Sequence, residues 1–242
     1  LEMQEMWMPY AERLGKKYRF LIYEYPFHTA SADEQVDFAA KLLKALSIEK
    51  VILLGASDGG VYAQIFAKRH PEFVLTMILT TTLTIDSDYV RDIQKERFST
   101  PILLFLMKLV PAKTEMKLLL KKSTGFLECE SEEDRNNGRG FYETVASDLN
   151  CKQRFIHSFK CVYMLKDYPL FKESDFEYLR GKIQVLLPEK DIFKKEDQDR
   201  LAELFRKLDA EILNVPGGHV GFIVQAERYM DLMEKFLEKN GI

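Results

Sequence analysis

The 242-residue chain is poor in cysteine, in excess charge of either sign and in long apolar runs. Its three cysteines, Cys129, Cys151 and Cys161, are odd in number and lack zinc-type spacing. That excludes a disulfide framework, gives no sign of a structural metal, and points to a reducing, cytoplasmic setting. Lysine plus arginine number 35 against 38 acidic residues, a net charge of −3. Nothing in that balance recommends nucleic acid as a partner. The run Lys108 to Lys122 is basic and amphipathic, and reads as a solvated helix face. No apolar stretch reaches the length of a membrane span: the longest, Ile102 to Val110, is broken by Lys108 and lies between Pro101 and Pro111. No signal peptide, internal repeat, low-complexity segment or linker is visible. What remains, at 46% hydrophobic residues, is ample for one globular domain with a sizeable core.

The most informative stretch is Lys50 to Lys68, KVILLGASDGGVYAQIFAK. Val51 to Leu54 form a wholly apolar run, as expected of a central strand buried on both faces. A turn through Gly55-Ala56-Ser57-Asp58-Gly59-Gly60 follows, and Val61 onward returns to a helical pattern. Strand, Gly-x-Ser-x-Gly, helix is the context of a nucleophile elbow. Ser57 then sits on a tight turn with its hydroxyl clear of the sheet. Side chains at positions 55 and 59 are expected to crowd the neighbouring strand and helix, and Gly60 to permit still closer approach. The first N–H groups of the helix, that of Asp58 foremost, face the space beside Ser57, where they can stabilise an oxyanion.

Around this stretch the chain alternates. Glu5 to Gly15 reads as a helix, Tyr18 to Tyr23 (YRFLIY) as a strand, and the segment after Ser31 as a helix opened by a Ser31…Glu34 capping box. Val74 to Thr80, Lys182 to Leu187 and Asp209 to Val215 read as further strands, separated or followed by helices over 196–208 and 224–239. This order predicts a mainly parallel α/β sheet. Between Thr84 and Leu179 the alternation stops. Apolar helical runs over 102–110, 116–120, 141–149 and 155–165 are separated by acidic turns such as Glu128 to Asp134 and by Asn136-Asn137-Gly138.

A serine hydroxyl is a weak nucleophile until a base takes its proton and a third group orients that base. His219, in Pro-Gly-Gly-His just past the last strand, is the candidate base. Asp191, in Glu-Lys-Asp past the strand ending at Leu187, is the candidate acid, with Glu189 as its rival. All three fall beyond the carboxyl ends of parallel strands, where open α/β sheets place their sites. His70 reads as a helix-end residue and His157 as a helix residue facing core or pocket. His28, in the loop after Pro26, is a weaker candidate for lining the substrate pocket. The Asp58 carboxylate is a candidate substrate-binding group that would favour a cationic substrate; its alternative is an acid serving the helix N-terminus.

Elbow, acid loop and histidine loop, in the order Ser57, Asp191, His219, resemble the α/β-hydrolase superfamily. The resemblance implies a doubly wound, mainly parallel sheet with residues 1–83 and 180–242 as core and 84–179 as a helical cap inserted over the site. It implies a serine hydrolase acting on a small-molecule acyl substrate through Ser57, His219 and Asp191, with no cofactor and no metal. It also implies strands and an oxyanion loop ahead of the first helix, so the opening strands are expected to be missing from a chain that begins at Leu1. The stretch from Trp7 to Thr82, with its Gly-Ala-Ser-x-Gly-Gly elbow, Ala-Gln-x-Phe-Ala helix and Tyr25-Pro26 loop, is also similar to maspardin-like members, whose role is protein binding. Neither reading speaks to oligomeric state.

Overall fold

The computed structural model describes residues 4–26, 28–109, 131–147 and 150–242. A 3-10 turn, Gln4–Trp7, leads into helix α1 (Met8–Leu14). Helix α2 (Ala32–Ala45) starts where Ser31 Oγ accepts from the Glu34 N–H at 3.1 Å. The reciprocal arm of the expected box is displaced by one residue: Glu34 Oε2 accepts from the Ala30 N–H. Ala32, Val36, Ala40 and Leu43 form its buried stripe.

Four strands follow, β1 (Val51–Ala56), β2 (Val74–Thr80), β3 (Ile183–Lys190) and β4 (Glu211–Gly218), with helix α3 (Asp58–Arg69) between the first two. They pair in chain order, β1-β2-β3-β4, and every pair is parallel. Alternation along β2 divides the core. Met77 and Leu79 face a cluster built from α2, α3 and helix α8 (Lys195–Arg206), whereas Ile78 faces α1, the short helix α9 (Gly221–Val224) and the C-terminal helix α10 (Ala226–Lys239). Helices therefore cover both faces of the sheet, as parallel strands require.

Two expectations fail at one edge of this sheet. Val51 to Leu54 are not a central strand. Among the described residues β1 pairs only with β2, and its side chains are mostly half-buried, while β2 and β3 are buried over most of their length. Tyr18 to Tyr23 is not a strand: Tyr18 lies in a bend and the residues after it carry no regular structure. A groove of about 760 Å³ separates it from β1, lined by both. Aromatic and β-branched residues supply strand propensity, but a strand exists only where its backbone groups find a ladder.

Between β2 and β3 lie helices α4 (Ser87–Lys95), α5 (Ser99–Leu109), α6 (Glu132–Ser147) and α7 (Cys151–Met164). The expected helices over 102–110, 141–149 and 155–165 fall within or across these elements, while 116–120 lies outside the described residues. The acidic turn and Asn136-Asn137-Gly138 do not separate helices where they are described. Residues 132–138 are inside α6. Asn137 is used there instead to donate to the Val224 carbonyl at 3.2 Å.

Glycines explain how closely α3 sits on the sheet. A Cβ at Gly55 would lie 2.7 Å from Gly60 Cα, and one at Gly60 would lie 2.5 Å from the Thr82 side chain. Gly59, expected to be crowded, faces open space: nothing lies within 4 Å of a Cβ built there. Gly60→Val should therefore destabilise the protein by about 2–3 kcal/mol through overpacking, and Gly59→Ala should change stability by less than about 1 kcal/mol. Urea denaturation of the two variants checks the contrast.

Candidate active site

Ser57 occupies the turn between β1 and α3 with φ 54° and ψ −129°, in the positive-φ region that a non-glycine residue adopts only under constraint. Three hydrogen bonds supply the constraint. The Ser57 N–H donates to the Thr80 carbonyl at 3.2 Å, and the Ser57 carbonyl accepts from the Gly60 N–H at 3.0 Å and from Thr82 Oγ1 at 2.6 Å. The turn is thus tied to its own helix and to the end of the neighbouring strand.

The three candidates distant in sequence meet at the carboxyl ends of the strands. His219 Nε2 lies 3.1 Å from Ser57 Oγ. His219 Nδ1 lies 2.7 Å from Asp191 Oδ1. Asp191 follows β3 directly and its side chain is 1% exposed. Its Oδ1 also accepts from the Phe193 N–H at 3.2 Å. Glu189, the rival acid, is exposed near the end of β3. His219 follows β4, where Gly217 adopts φ 92°. The Phe193 ring meets the imidazole edge-on, with centroids 5.1 Å apart. A carboxylate on one side, an aromatic edge on another and a hydroxyl at the far nitrogen hold the ring in one orientation. This is a Ser-His-Asp triad arrangement. Tyr229, buried in α10, has its phenol pushed up by burial and then by the Asp191 charge.

Asp58, first residue of α3, has an N–H with no acceptor inside its own helix. The Asp58 carboxylate is engaged on both oxygens. Oδ1 accepts from the Gly59 N–H at 3.0 Å, and Oδ2 accepts from Ser158 Oγ at 2.7 Å. Any cationic group reaching this carboxylate must compete with Ser158. His28 is exposed in a turn, and none of the described contacts joins it to the triad. His157 faces the core: it is 3% exposed, with Nε2 3.4 Å from Gln35 Nε2 and 3.6 Å from Cys161 Sγ. His70 ends α3 and pairs with Asp37 at 2.8 Å.

Ser158 and Phe193 were not singled out from the sequence. Phe193 stands two residues after the acid, a position that signals proximity to it. No local feature marks Ser158, which is brought to Asp58 by the packing of α7 on α3. A second tie joins the helical insertion to the other side of the triad. Asn137 and Asp134 of α6 bond Val224 and Gln225, just after the histidine loop. The helices between β2 and β3 therefore straddle the triad as a cap. Among the described residues no group of three or more His, Cys, Asp or Glu is arranged to hold a metal.

Residues 7–115 match the family model described as the alpha/beta hydrolase fold. Solved structures of hydrolases are similar over nearly the full chain length. The fold is that of the α/β hydrolases. MGS-M2, an alpha/beta hydrolase enzyme from a Medee basin deep-sea metagenome library, is 16% identical with a TM-score of 0.72, over 97% of this chain and 85% of that one. A structure from work on carboxylesterases of the thaumarchaeon Nitrososphaera gargenis is 18% identical with a TM-score of 0.69, over 96% and 85%. A single-site variant of the meta-cleavage product hydrolase of Pseudomonas fluorescens IP01 is 22% identical with a TM-score of 0.67, over 98% and 85%. No curated protein sequence matches the chain significantly.

Because Asp191 and not Glu189 meets the imidazole, Asp191→Asn should slow reaction of Ser57 with a fluorophosphonate by about 10³–10⁴-fold. Glu189→Gln should leave the rate within about twofold, since surface substitutions away from a network have small effects. Labelling rates of the two variants against the parent decide between the acids.

Proposed function

We propose that the protein is a serine hydrolase that cleaves a carboxylic ester, a thioester or a small amide through an acyl-enzyme. The observation that carries this is the continuous path from Ser57 Oγ to His219 Nε2 at 3.1 Å and from His219 Nδ1 to Asp191 Oδ1 at 2.7 Å. Ser57 Oγ attacks the acyl carbon while His219 Nε2 takes its proton. The imidazolium so formed is stabilised by the buried Asp191 carboxylate. The carbonyl oxygen gains charge beside the Asp58 N–H and the N-terminal end of α3. His219 then gives the proton to the leaving alcohol, thiol or amine as the tetrahedral adduct collapses. In the second half His219 takes a proton from water, whose oxygen attacks the acyl carbon. The acid leaves and Ser57 is restored.

Residues 84–179 act in this reading as the cap, and residues 1–83 with 180–242 as the core. The ties of α7 to Asp58 and of α6 to Val224 and Gln225 support that division. The Asp58 carboxylate and His28 remain proposed substrate contacts, the former subject to displacement of Ser158. A serine at position 57 argues against chemistries that need a carboxylate nucleophile there. A cytoplasmic setting is supported by the sparse, odd cysteine count. Among the described residues no helix is long and apolar enough to cross a membrane. The rival reading, a maspardin-like binding protein, rests on the stretch from Trp7 to Thr82, and the intact base and acid favour an enzyme over it.

The parent protein should react with a fluorophosphonate probe and hydrolyse a short p-nitrophenyl ester. Ser57→Ala should abolish labelling, and His219→Ala should reduce turnover by about 10³-fold or more. A folded parent that takes up no probe would transfer the assignment to the binding reading.

A further inference from the structure

Three buried polar atoms near the triad make no hydrogen bond to any described residue: Asp191 Oδ2, Tyr229 Oη and Thr80 Oγ1. Thr80 ends β2, Asp191 follows β3 and Tyr229 lies on α10. Buried polar groups are ordinarily paired, and an unpaired one is costly. Tyr229 has the most to explain. Its ring packs in the cluster that holds Ile78, Leu186, Val215 and Phe222. Phenylalanine would do that packing with no oxygen to satisfy. The oxygen also constrains the chain elsewhere. A Cβ at Gly221 would lie 2.7 Å from it, so the hydroxyl holds position 221 to glycine. Tyr10, buried in the same cluster, shows the ordinary solution: its hydroxyl donates to the Phe222 carbonyl.

Position and chemistry match the Tyr229 hydroxyl to the acid. Gly221 is two residues past His219, at most about 7 Å of chain, so the phenol oxygen lies beside the histidine loop. Burial and then the Asp191 charge raise the phenol, while the Arg228 charge and the Thr80 hydroxyl lower it. Tyr10 is a further ionisable group that feels Tyr229. A carboxylate oxygen only accepts, whereas a hydroxyl both donates and accepts. Asp191 Oδ1 is already engaged by His219 Nδ1 and by the Phe193 N–H. Oδ2 lacks a donor where two hydroxyls lack partners.

We propose that Tyr229 is a positioning residue for the acid: its hydroxyl donates to Asp191 Oδ2, directly or across one water, and accepts in turn from the Thr80 hydroxyl. No proton changes owner. The carboxylate is then held at both oxygens and cannot turn Oδ1 away from the imidazole. Thr80 serves both ends of the triad, since its carbonyl also accepts from the Ser57 N–H. This role rests on the hydrolase reading of the triad, but its signature is read on His219 without turnover.

The test is the titration of the His219 imidazole by NMR, its signal assigned by loss in His219→Gln. Parent, Tyr229→Phe, Thr80→Val and Tyr10→Phe are compared. A donated hydrogen bond draws carboxylate charge away from Oδ1. Without it the charge bears fully on the imidazolium, which then holds its proton more tightly. The His219 midpoint should rise in Tyr229→Phe by about half a pH unit, a threefold gain in proton affinity. Thr80→Val should give a smaller rise. Tyr10→Phe removes a buried phenol hydroxyl from the same cluster and should leave the midpoint within about 0.2 of the parent's, whatever it does to Tm. At a pH where His219 is neutral, fluorophosphonate labelling of Tyr229→Phe should be slower by about three- to tenfold. A midpoint unmoved or lowered in Tyr229→Phe, or raised equally in Tyr10→Phe, would overturn the assignment. A parent that takes up no fluorophosphonate while Tyr229→Phe still raises the midpoint would instead sink the hydrolase reading and leave the hydrogen bond standing.

Discussion

The strained backbone at Ser57 is the constraint on which the site depends. A residue with a Cβ held at φ 54° costs about 1–3 kcal/mol relative to an ordinary conformation. It persists because its carbonyl is held twice, by the Gly60 N–H and by Thr82 Oγ1, and its N–H once, by Thr80. These bonds in turn demand that α3 lie close to the sheet. Gly55 and Gly60 make that approach sterically feasible, with Thr82 filling the space a side chain at Gly60 would take. The geometry that brings the hydroxyl to His219 is therefore a property of four packed residues around it, and not of Ser57 itself.

The cap is tied to the same turn. Ser158 on α7 reaches the Asp58 carboxylate, and Tyr62 of α3 donates to the Cys161 carbonyl of α7 at 3.1 Å. On the opposite side α6 holds the segment after His219. Nucleophile and base thus each sit one residue or one short turn from a cap anchor. A displacement of α7 loosens the neighbour of Ser57, and a displacement of α6 loosens the chain that follows His219. In this arrangement the cap's position and the triad's registration are mechanically linked.

Much of this was legible in the chain because the informative residues answer to local rules. Apolar runs of strand length, a small-residue turn and a following helical period locate Ser57. Asp191 and His219 were legible because parallel strands deliver the residue after their carboxyl ends to a common rim. What failed were statements about neighbours. Gly59 looked as crowded as Gly55, but only packing distinguishes them, and the structure finds the crowding at Gly55 and Gly60. Asn136-Asn137-Gly138 has the composition of a turn, yet Asn137 is held in α6 by the distant Val224 carbonyl. Ser158 has no sequence signature, because its role depends on a fold contact across 100 positions.

The sheet edge is the clearest case of a local rule overruled. Val51-Ile52-Leu53-Leu54 carries the composition of a buried central strand, and YRFLIY that of a strand. Among the described residues, however, β1 ladders on one side only and residues 18–23 ladder with nothing in the sheet. The groove between them is lined by apolar side chains of both. Strand propensity measures how well a side chain fits a pleated, half-buried surface, and the ladder comes from a neighbour. With β2 as neighbour, the apolar run becomes a strand and carries Ser57 at its end. Without one, an equally suitable sequence remains a wall of the groove. The nucleophile is consequently tied to the β2 side, through Thr80 and Thr82.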